Sequence, residues 1–153
     1  MTKILFVCHG NICRSPMAEF VMKDLVRKAG LQDSFEIASA ATSSEELGNP
    51  VYPPVRRILS ARGINCLGKT ARTLTREDYD KYDLLICMDR QNLRNMMRIC
   101  GEDSDKKMYL LLDFTDSPKE VADPWYTGNF EQTISEVDAG CSALLEKILQ
   151  NQI

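Results

Sequence analysis

Residues Ile4 to Pro16 read ILFVCHGNICRSP, an apolar run followed by a short polar loop and the start of a helical pattern. The loop between Cys8 and Arg14 is short enough to curl until its backbone N–H groups point inward. Gly10 permits a positive φ or a close backbone approach, and Asn11 tolerates the left-handed conformation better than most residues. A concave row of N–H groups at a helix N-terminus binds anions, and phosphate suits it. The stretch therefore predicts a strand, a phosphate-binding loop and a helix in succession.

Two side chains supply the chemistry of this loop. Cys8 is expected at the bottom of the cup, where the N–H groups, the helix dipole and Arg14 favour a thiolate over a thiol. Arg14 adds a planar fork that can hold two phosphate oxygens. Ser15 is predicted to cap the helix, with Pro16 at its first position, and to donate its hydroxyl to the Cys8 sulfur. The predicted phosphate-binding set is His9, Gly10, Asn11, Ile12, Cys13, Arg14 and Ser15.

The same spacing occurs a second time, where Arg72 follows Cys66 by six positions. No apolar strand precedes this match, and no clear helix begins after it. Since a motif counts only in its structural context, we interpret the second match as chance.

The composition limits the classes of protein that this chain can represent. Its 153 residues fit one domain, residues 1–153, with an ordinary balance of apolar and charged side chains. A net charge of −3 gives no reason to expect binding to nucleic acid or a membrane, so a phosphate site must be built locally. Six cysteines and one histidine without zinc-type spacing indicate free thiols, no metal or other cofactor, and a cytoplasmic location.

Apolar runs predict four buried strands, at residues 3–8, 35–41, 83–88 and 107–112. Helical patterns separate them, and a further helical pattern follows the last strand. We therefore predict a single three-layer α/β domain with a four-stranded parallel sheet and helices on both faces. Ligands of such folds bind at the carboxyl ends of the strands. The loop after Cys8 and the irregular segments 42–54 and 113–130 should converge there.

The second irregular segment contains Asp123-Pro124-Trp125-Tyr126. Displacing phosphate from a phenol requires a proton donor for the leaving oxygen, and Asp123 is our candidate. Pro124 pushes Asp123 toward an extended conformation, and the two rings can line a slot for a flat substrate. The same residues are also typical of a turn with surface aromatics, and the residues alone leave both interpretations open.

Together these two segments make the chain resemble the low-molecular-weight protein tyrosine phosphatase family. The resemblance covers nearly the whole chain and includes 39–42 (SAAT), 48–50 (GNP), 71–72 (AR), 83–89 (DLLICMD) and 92–94 (NLR). It implies hydrolysis of phosphotyrosine in proteins through a phosphocysteine intermediate. Cys8 would be the nucleophile, Arg14 the phosphate clamp and Asp123 the general acid and base. Inorganic phosphate or similar oxyanions would also occupy the loop.

The resemblance also bears on two further loop residues. It implies that Cys13 forms a reversible disulfide that shields Cys8 from over-oxidation, although a role as a small buried residue stays open. Relatives that resemble protein-arginine phosphatases carry a threonine where this chain has Ile12, so Ile12 favours phosphotyrosine.

Three positions depart from the pattern of the resembled family. Glu45 stands where relatives carry an aromatic residue at the substrate slot, and it completes a predicted rim with Trp125 and Tyr126. A carboxylate there would weaken stacking and repel acidic peptides. Lys69 stands where a histidine often buttresses the loop asparagine, so Asn11 is expected to lean on Ser39 and Ser15 instead. Tyr52 follows the Gly-x-Pro segment. Its side chain could lie near the mouth of the substrate pocket or have a role in the core or at the surface, and both interpretations stay open.

Two other functions stay open at this point. An arsenate reductase of the same fold needs a downstream cysteine pair, and Cys87 and Cys100 are the nearest candidates, although their spacing is wider than usual. A phosphoryl carrier or phosphate-binding module would use Cys8 but lacks the late Asp-Pro-aromatic segment. We interpret the remaining cysteines, Cys66, Cys87, Cys100 and Cys141, as packing residues, and Arg56, Arg57 and Arg62 as a solvated helix face.

Overall fold

A computed structural model describes all 153 residues, from Met1 to Ile153. Four strands form one sheet in the order β2-β1-β3-β4, and every neighbouring pair is parallel. The strands are β1 (Thr2–Cys8), β2 (Phe35–Ala41), β3 (Leu84–Cys87) and β4 (Met108–Leu110). The helices are α1 (Arg14–Lys28), α2 (Pro53–Ala61), α3 (Arg76–Lys81), α4 (Arg90–Cys100), α5 (Pro124–Thr127) and α6 (Phe130–Leu149). The predicted fold class, a single α/β domain with helices on both faces of a parallel sheet, is confirmed.

The two faces of the sheet bury separate apolar clusters. Ile4, Phe6 and Cys8 of β1 point to a larger cluster that includes side chains of α1, α2 and α6. Leu5 and Val7 point the other way, to a smaller cluster with side chains of α3 and α4. Because β1 is buried on both faces, it has no polar alternation, which explains its continuous apolar sequence.

The strand order places a crevice at the carboxyl ends of the two central strands. β1 leads into α1 on one face, and the neighbouring β3 leads into α4 on the other face. The two loops leave the sheet in opposite directions, so a ligand-sized gap opens beyond the carboxyl ends of β1 and β3. The loop after Cys8 and the residue Asp89 both lie at this gap.

The start of α1 differs from our prediction. The helix begins at Arg14, so Ser15 is not its N-cap and Pro16 is its third residue rather than its first. The N–H groups of the first turn have no partner within a helix, so a proline is tolerated there. The Ser15 hydroxyl lies instead beside the Cys8 sulfur, 3.0 Å away, as the second half of the prediction required.

The region after β3 contains a second difference. The predicted fourth strand, 107–112, is shorter, since Leu111–Phe114 forms a 3-10 helix. The Asp113 carboxylate accepts a hydrogen bond from the Leu110 backbone N–H, which curls the chain away from the sheet. The segment 113–130, predicted as irregular, also contains α5. Capping boxes at Thr75 and Asp89 begin α3 and α4.

The arginines of α2 and the residue after it differ in exposure. Arg57 and Arg62 of the predicted solvated face are exposed, Arg56 is half-buried, and Arg62 forms a two-pronged ion pair with Asp138. Even α6, the longest helix at 20 residues, lacks the continuous apolar length that a membrane crossing requires.

Candidate active site

The loop that follows β1 wraps around the sulfur of Cys8. The backbone N–H groups of Asn11 and Ser15 donate to this sulfur, at 3.3 and 3.4 Å, and the Ser15 hydroxyl lies 3.0 Å from it. Asn11 has a φ of +60°, in the left-handed region where asparagine is tolerated. The curl predicted from the sequence is therefore present, and three donors surround one sulfur, as suits a thiolate.

The side chain of Asn11 fixes the shape of this loop from inside. Its amide group donates to the hydroxyls of Ser15, at 2.7 Å, and Ser39, at 2.9 Å, as predicted. Its carbonyl oxygen accepts the backbone N–H of Arg72 at 3.2 Å. Because the Ser15 oxygen accepts from Asn11, its own proton is free to point at the Cys8 sulfur.

A buried charge network supports Asn11 from behind. The Ser39 hydroxyl donates to the Glu19 carboxylate, which also pairs with Lys69 at 3.4 Å and with Lys23 at 2.6 Å. Lys69 donates to the Ser39 carbonyl oxygen at 2.9 Å. Burial lowers the pKa of Lys69, and the neighbouring Glu19 carboxylate opposes that shift. Lys69 therefore supports the loop through Ser39 and Glu19 and makes no hydrogen bond to Asn11.

Arg14 lies at the other side of the cup and is almost fully buried, with 3 % of its surface exposed. One terminal nitrogen donates to the Asp89 carboxylate, at 2.8 Å, and to the Val121 carbonyl oxygen, at 2.9 Å. The other lies 3.4 Å from the Asp123 carboxylate. Burial alone would lower the pKa of Arg14, but Cys8, Asp89 and Asp123 outweigh it and raise the pKa. Two of its five N–H donors, one of them Nε–H, remain for a ligand.

Asp89 is a site residue that the sequence analysis missed, since it was noted there only as the last residue of the segment 83–89. Its carboxylate caps α4 through the Asn92 N–H at 2.7 Å and holds Arg14 with its second oxygen. The available signal was its position, directly after the strand that neighbours β1. Carboxyl ends of adjacent parallel strands lie together, so Asp89 had to approach the loop.

Asp123 reaches the site on an anchored segment. The Val121 N–H donates to the Met88 carbonyl oxygen at 2.9 Å, and the side chain of Val121 is buried. Asp123 is extended, as Pro124 predicted, and one of its carboxylate oxygens accepts the Trp125 N–H at 3.0 Å. Its other oxygen faces Arg14. The structure therefore brings Cys8, Arg14 and Asp123 together, as predicted.

These groups surround one pocket of about 160 Å³. Its lining consists of Cys8, His9, Gly10, Ile12, Cys13, Arg14, Glu45, Glu46, Asp123, Trp125 and Tyr126. The predicted rim residues Glu45, Trp125 and Tyr126 are all present, and Glu46 is an addition. Tyr52 packs against Trp125 with ring centroids 5.1 Å apart, so it lies behind the aromatic wall. The His9 ring contacts Glu45 at 2.9 Å.

The sequence model of one family, described as low molecular weight phosphotyrosine protein phosphatase, matches residues 3–153. The chain belongs to this family. A low molecular weight protein-tyrosine-phosphatase of Bacillus subtilis, YfkJ, is 38% identical over 150 residues, covering 97% of this chain and 96% of the relative. The rat low molecular weight phosphotyrosine protein phosphatase is 39% identical, covering 94% of each chain.

Solved structures of low molecular weight phosphatases give the same assignment. The crystal structure of Bacillus subtilis YfkJ superposes with a TM-score of 0.95 at 37% identity and covers 100% of this chain and 98% of the other. The crystal structure of a Drosophila arginine phosphatase superposes with a TM-score of 0.87 at 26% identity, covering 96% of this chain and 98% of the other. The fold is thus shared by proteins named as a tyrosine phosphatase and as an arginine phosphatase.

Within this family member all six cysteines are free and buried. Burial, followed by the charges of Cys8 and Asp123, raises the pKa of Cys13 to about 12. Cys13 is therefore a protonated thiol at neutral pH, and its pairing with Cys8 stays a prediction. Cys66 does not begin a second cup, since Arg72 binds both carboxylate oxygens of Asp78 at 3.0 Å. The second Cys-x5-Arg match was correctly interpreted as chance.

Two substitutions at Asn11 separate the backbone from the side-chain contribution to the loop. Asn11→Gly keeps the left-handed φ but loses the three hydrogen bonds, and should lower the free energy of unfolding by roughly 2 kcal/mol. Asn11→Ala should cost about 1 kcal/mol more, since alanine disfavours a positive φ. Urea unfolding of both variants beside the unaltered protein measures this. An Asn11→Gly variant as stable as the unaltered protein would show that the side-chain hydrogen bonds do not hold the loop.

Proposed function

We propose that this phosphatase hydrolyses phosphotyrosine in proteins by covalent catalysis at Cys8, and that it does so in the cytoplasm, where six free thiols persist. One observation carries the proposal: the Cys8 sulfur, surrounded by hydrogen-bond donors, shares a single pocket with Arg14 and Asp123. The names of the relatives support the substrate class.

The reaction has two steps that use the same groups. In the first, the Cys8 thiolate attacks phosphorus, the P–O bond to the tyrosine breaks, and Asp123 gives its proton to the leaving phenol oxygen. In the second, Asp123 takes a proton from water, the water oxygen attacks phosphorus, and the P–S bond breaks. Arg14 and the loop N–H groups hold the remaining phosphoryl oxygens, where charge must be stabilised in both steps.

Two features of the pocket favour phosphotyrosine as the substrate. Trp125 and Tyr126 offer exposed ring surface at the mouth, 56 % and 86 % exposed, on which a substrate ring can pack. Ile12 lines the pocket, and the family resemblance implies a threonine at this position in protein-arginine phosphatases. A flat phenyl ring fits such a slot better than a flexible alkyl guanidinium.

Arsenate reduction is disfavoured by the state of the downstream cysteines. Cys87 is fully buried in the sheet and Cys100 is 6 % exposed. Burial raises the pKa of Cys100 to about 11 and that of Cys87 still further. Thiols in this state are poor nucleophiles, and neither lies at the surface where a disulfide relay must end.

Steady-state hydrolysis of matched peptides tests the proposed function. A phosphotyrosine peptide should be turned over without added metal and with a chelator present, whereas phosphoserine and phosphoarginine versions of it should not. Cys8→Ser should lose activity on the order of 10⁴-fold or more, because the nucleophile is removed, yet still bind vanadate or phosphate.

Faster turnover of the phosphoserine or phosphoarginine peptide than of the phosphotyrosine peptide would contradict the assigned substrate class. Activity retained in Cys8→Ser would contradict the covalent mechanism.

Asp123→Asn tests the acid role separately from the nucleophile. Asparagine keeps the size and the helix-capping oxygen but has no proton of suitable acidity to give. We expect kcat to fall by roughly 10² to 10⁴ on phenyl phosphate, a poor leaving group, and much less on p-nitrophenyl phosphate. Equal losses on both substrates would remove Asp123 from the acid role.

A further inference from the structure

The mouth of the pocket has an acidic wall that the proposed chemistry does not use. Glu45 and Glu46 line it from the segment after β2, and Asp123 faces them. Among the lining residues only His9 and Arg14 are basic, and Arg14 is buried beside the Cys8 sulfur. Beyond the phosphate itself, a substrate therefore meets a surface with an excess of carboxylates.

Hydrogen bonds to the phosphate loop fix this wall in place. The Thr42 and Ser43 backbone N–H groups donate to the carbonyl oxygens of Cys8, at 2.9 Å, and of His9, at 3.1 Å. The Ser43 hydroxyl also donates to His9 O, at 3.0 Å, and accepts the Glu45 N–H at 3.4 Å. The segment that carries Glu45 thus runs alongside the first residues of the loop, so the backbone of this segment keeps a set position relative to Cys8.

Glu46 lies beside the loop. Its Cγ is 3.4 Å from the position that a Cβ on Gly10 would occupy, so a side chain at Gly10 would pack directly against Glu46. The Asn49 side chain donates to the Glu46 carboxylate at 2.6 Å, which holds it against the loop. Glu45 differs, because its carboxylate is 70 % exposed and has only the His9 ring as a partner.

A second wall of the same pocket is aromatic, since Trp125 and Tyr126 line it with exposed rings and Tyr52 packs against Trp125. Ring faces attract Lys and Arg side chains, with guanidinium groups the more frequent partners. Both walls of the mouth therefore favour a cation beside the substrate phosphotyrosine, and the acidic wall disfavours an anion there.

We propose that this rim selects phosphotyrosine segments with lysine or arginine next to the phosphotyrosine, and that Glu45 is the specificity-determining residue. The inference rests on the proposed tyrosine phosphatase function and adds the charge of the flanking sequence. A basic flanking side chain meets the Glu45 carboxylate or the Trp125 ring. An acidic flanking side chain is repelled by the Glu45 carboxylate, so segments with acidic flanks bind less well.

His9 moderates this selection, because its ring is the one protein group that contacts the Glu45 carboxylate. A substrate cation must compete with His9 for the same oxygens. Removal of the ring should therefore increase the preference for basic flanks, while removal of the Glu45 charge should decrease it. Opposite effects from two residues in contact are a signature that a general loss of structure would not produce.

The expected size of the preference for basic flanks follows from the exposure of the Glu45 carboxylate. Exposed charge pairs contribute little, so each basic flank should improve kcat/KM by roughly threefold to fivefold over an uncharged flank. The Debye length is about 8 Å at physiological salt, so the preference should shrink as salt rises.

The test compares three phosphotyrosine peptides of equal length that differ only in flanking residues, with lysine, glutamine or glutamate on both sides. We expect kcat/KM to decrease in that order for the unaltered enzyme. Glu45→Gln should reduce the lysine-to-glutamate ratio at least twofold, Glu45→Lys should invert it, and His9→Gln should increase it. Glu102→Gln is the matched control. Glu102 is exposed and precedes β4, so it lies at the amino ends of the strands, whereas the site lies at their carboxyl ends.

The outcomes separate this inference from the function on which it rests. Equal rates on the three peptides, or an unchanged ratio in both Glu45 variants, would overturn the rim proposal while the phosphatase function stands. No turnover of any peptide, nor of p-nitrophenyl phosphate, would overturn the proposed function itself. A Glu102→Gln variant that shifts the ratio as much as Glu45→Gln would show a dependence on net charge rather than on the rim.

Discussion

The hydrogen bonds of the Asn11 side chain hold the phosphate loop in the conformation that the rest of the site requires. Asn11 sits in the left-handed region, 1 % exposed, and ties the loop to Ser15, Ser39 and the Arg72 backbone. These bonds keep the loop curled, which places two backbone donors on the Cys8 sulfur. Donors fixed before the substrate arrives need no reorganisation during the reaction, which is the main source of electrostatic catalysis.

The sheet topology supplies the second half of the constraint. β1 and β3 are neighbours whose following helices lie on opposite faces, so their carboxyl ends meet at one crevice. Arg14 comes from the first of these ends, and Asp89, which holds it, follows the second. Buried charges persist only when paired and hydrogen-bonded, and Arg14 has Asp89, Val121 O and Asp123 as partners. A chain with a net charge of −3 thereby keeps a local anion site.

Much of this arrangement could be predicted from local sequence because it depends on local chemistry. The apolar run before Cys8 determines a buried strand, and Pro124 determines the extended backbone of Asp123. Asp89 was not recognised as an Arg14 partner, since that contact joins residues 75 positions apart and its signal, a place after the strand beside β1, needs the strand order. Ser15 was misplaced as the helix cap because α1 begins one residue earlier, at Arg14, a boundary that the Ser-Pro pattern does not determine. Glu46 escaped notice because its position beside Gly10 arises from the path of a long loop.

A crystal structure with vanadate tests most directly whether the loop is preformed around Cys8, because vanadate can adopt the five-coordinate geometry of phosphorus at the moment of transfer. We expect a vanadium–sulfur bond at Cys8, vanadate oxygens on the free donors of Arg14, and a positive φ retained at Asn11. We also expect loop Cα displacements below about 1 Å, as in preorganised sites. A loop that opens or rebuilds its hydrogen bonds around the ligand, or vanadate bound away from Cys8, would show that the loop is not preformed around Cys8.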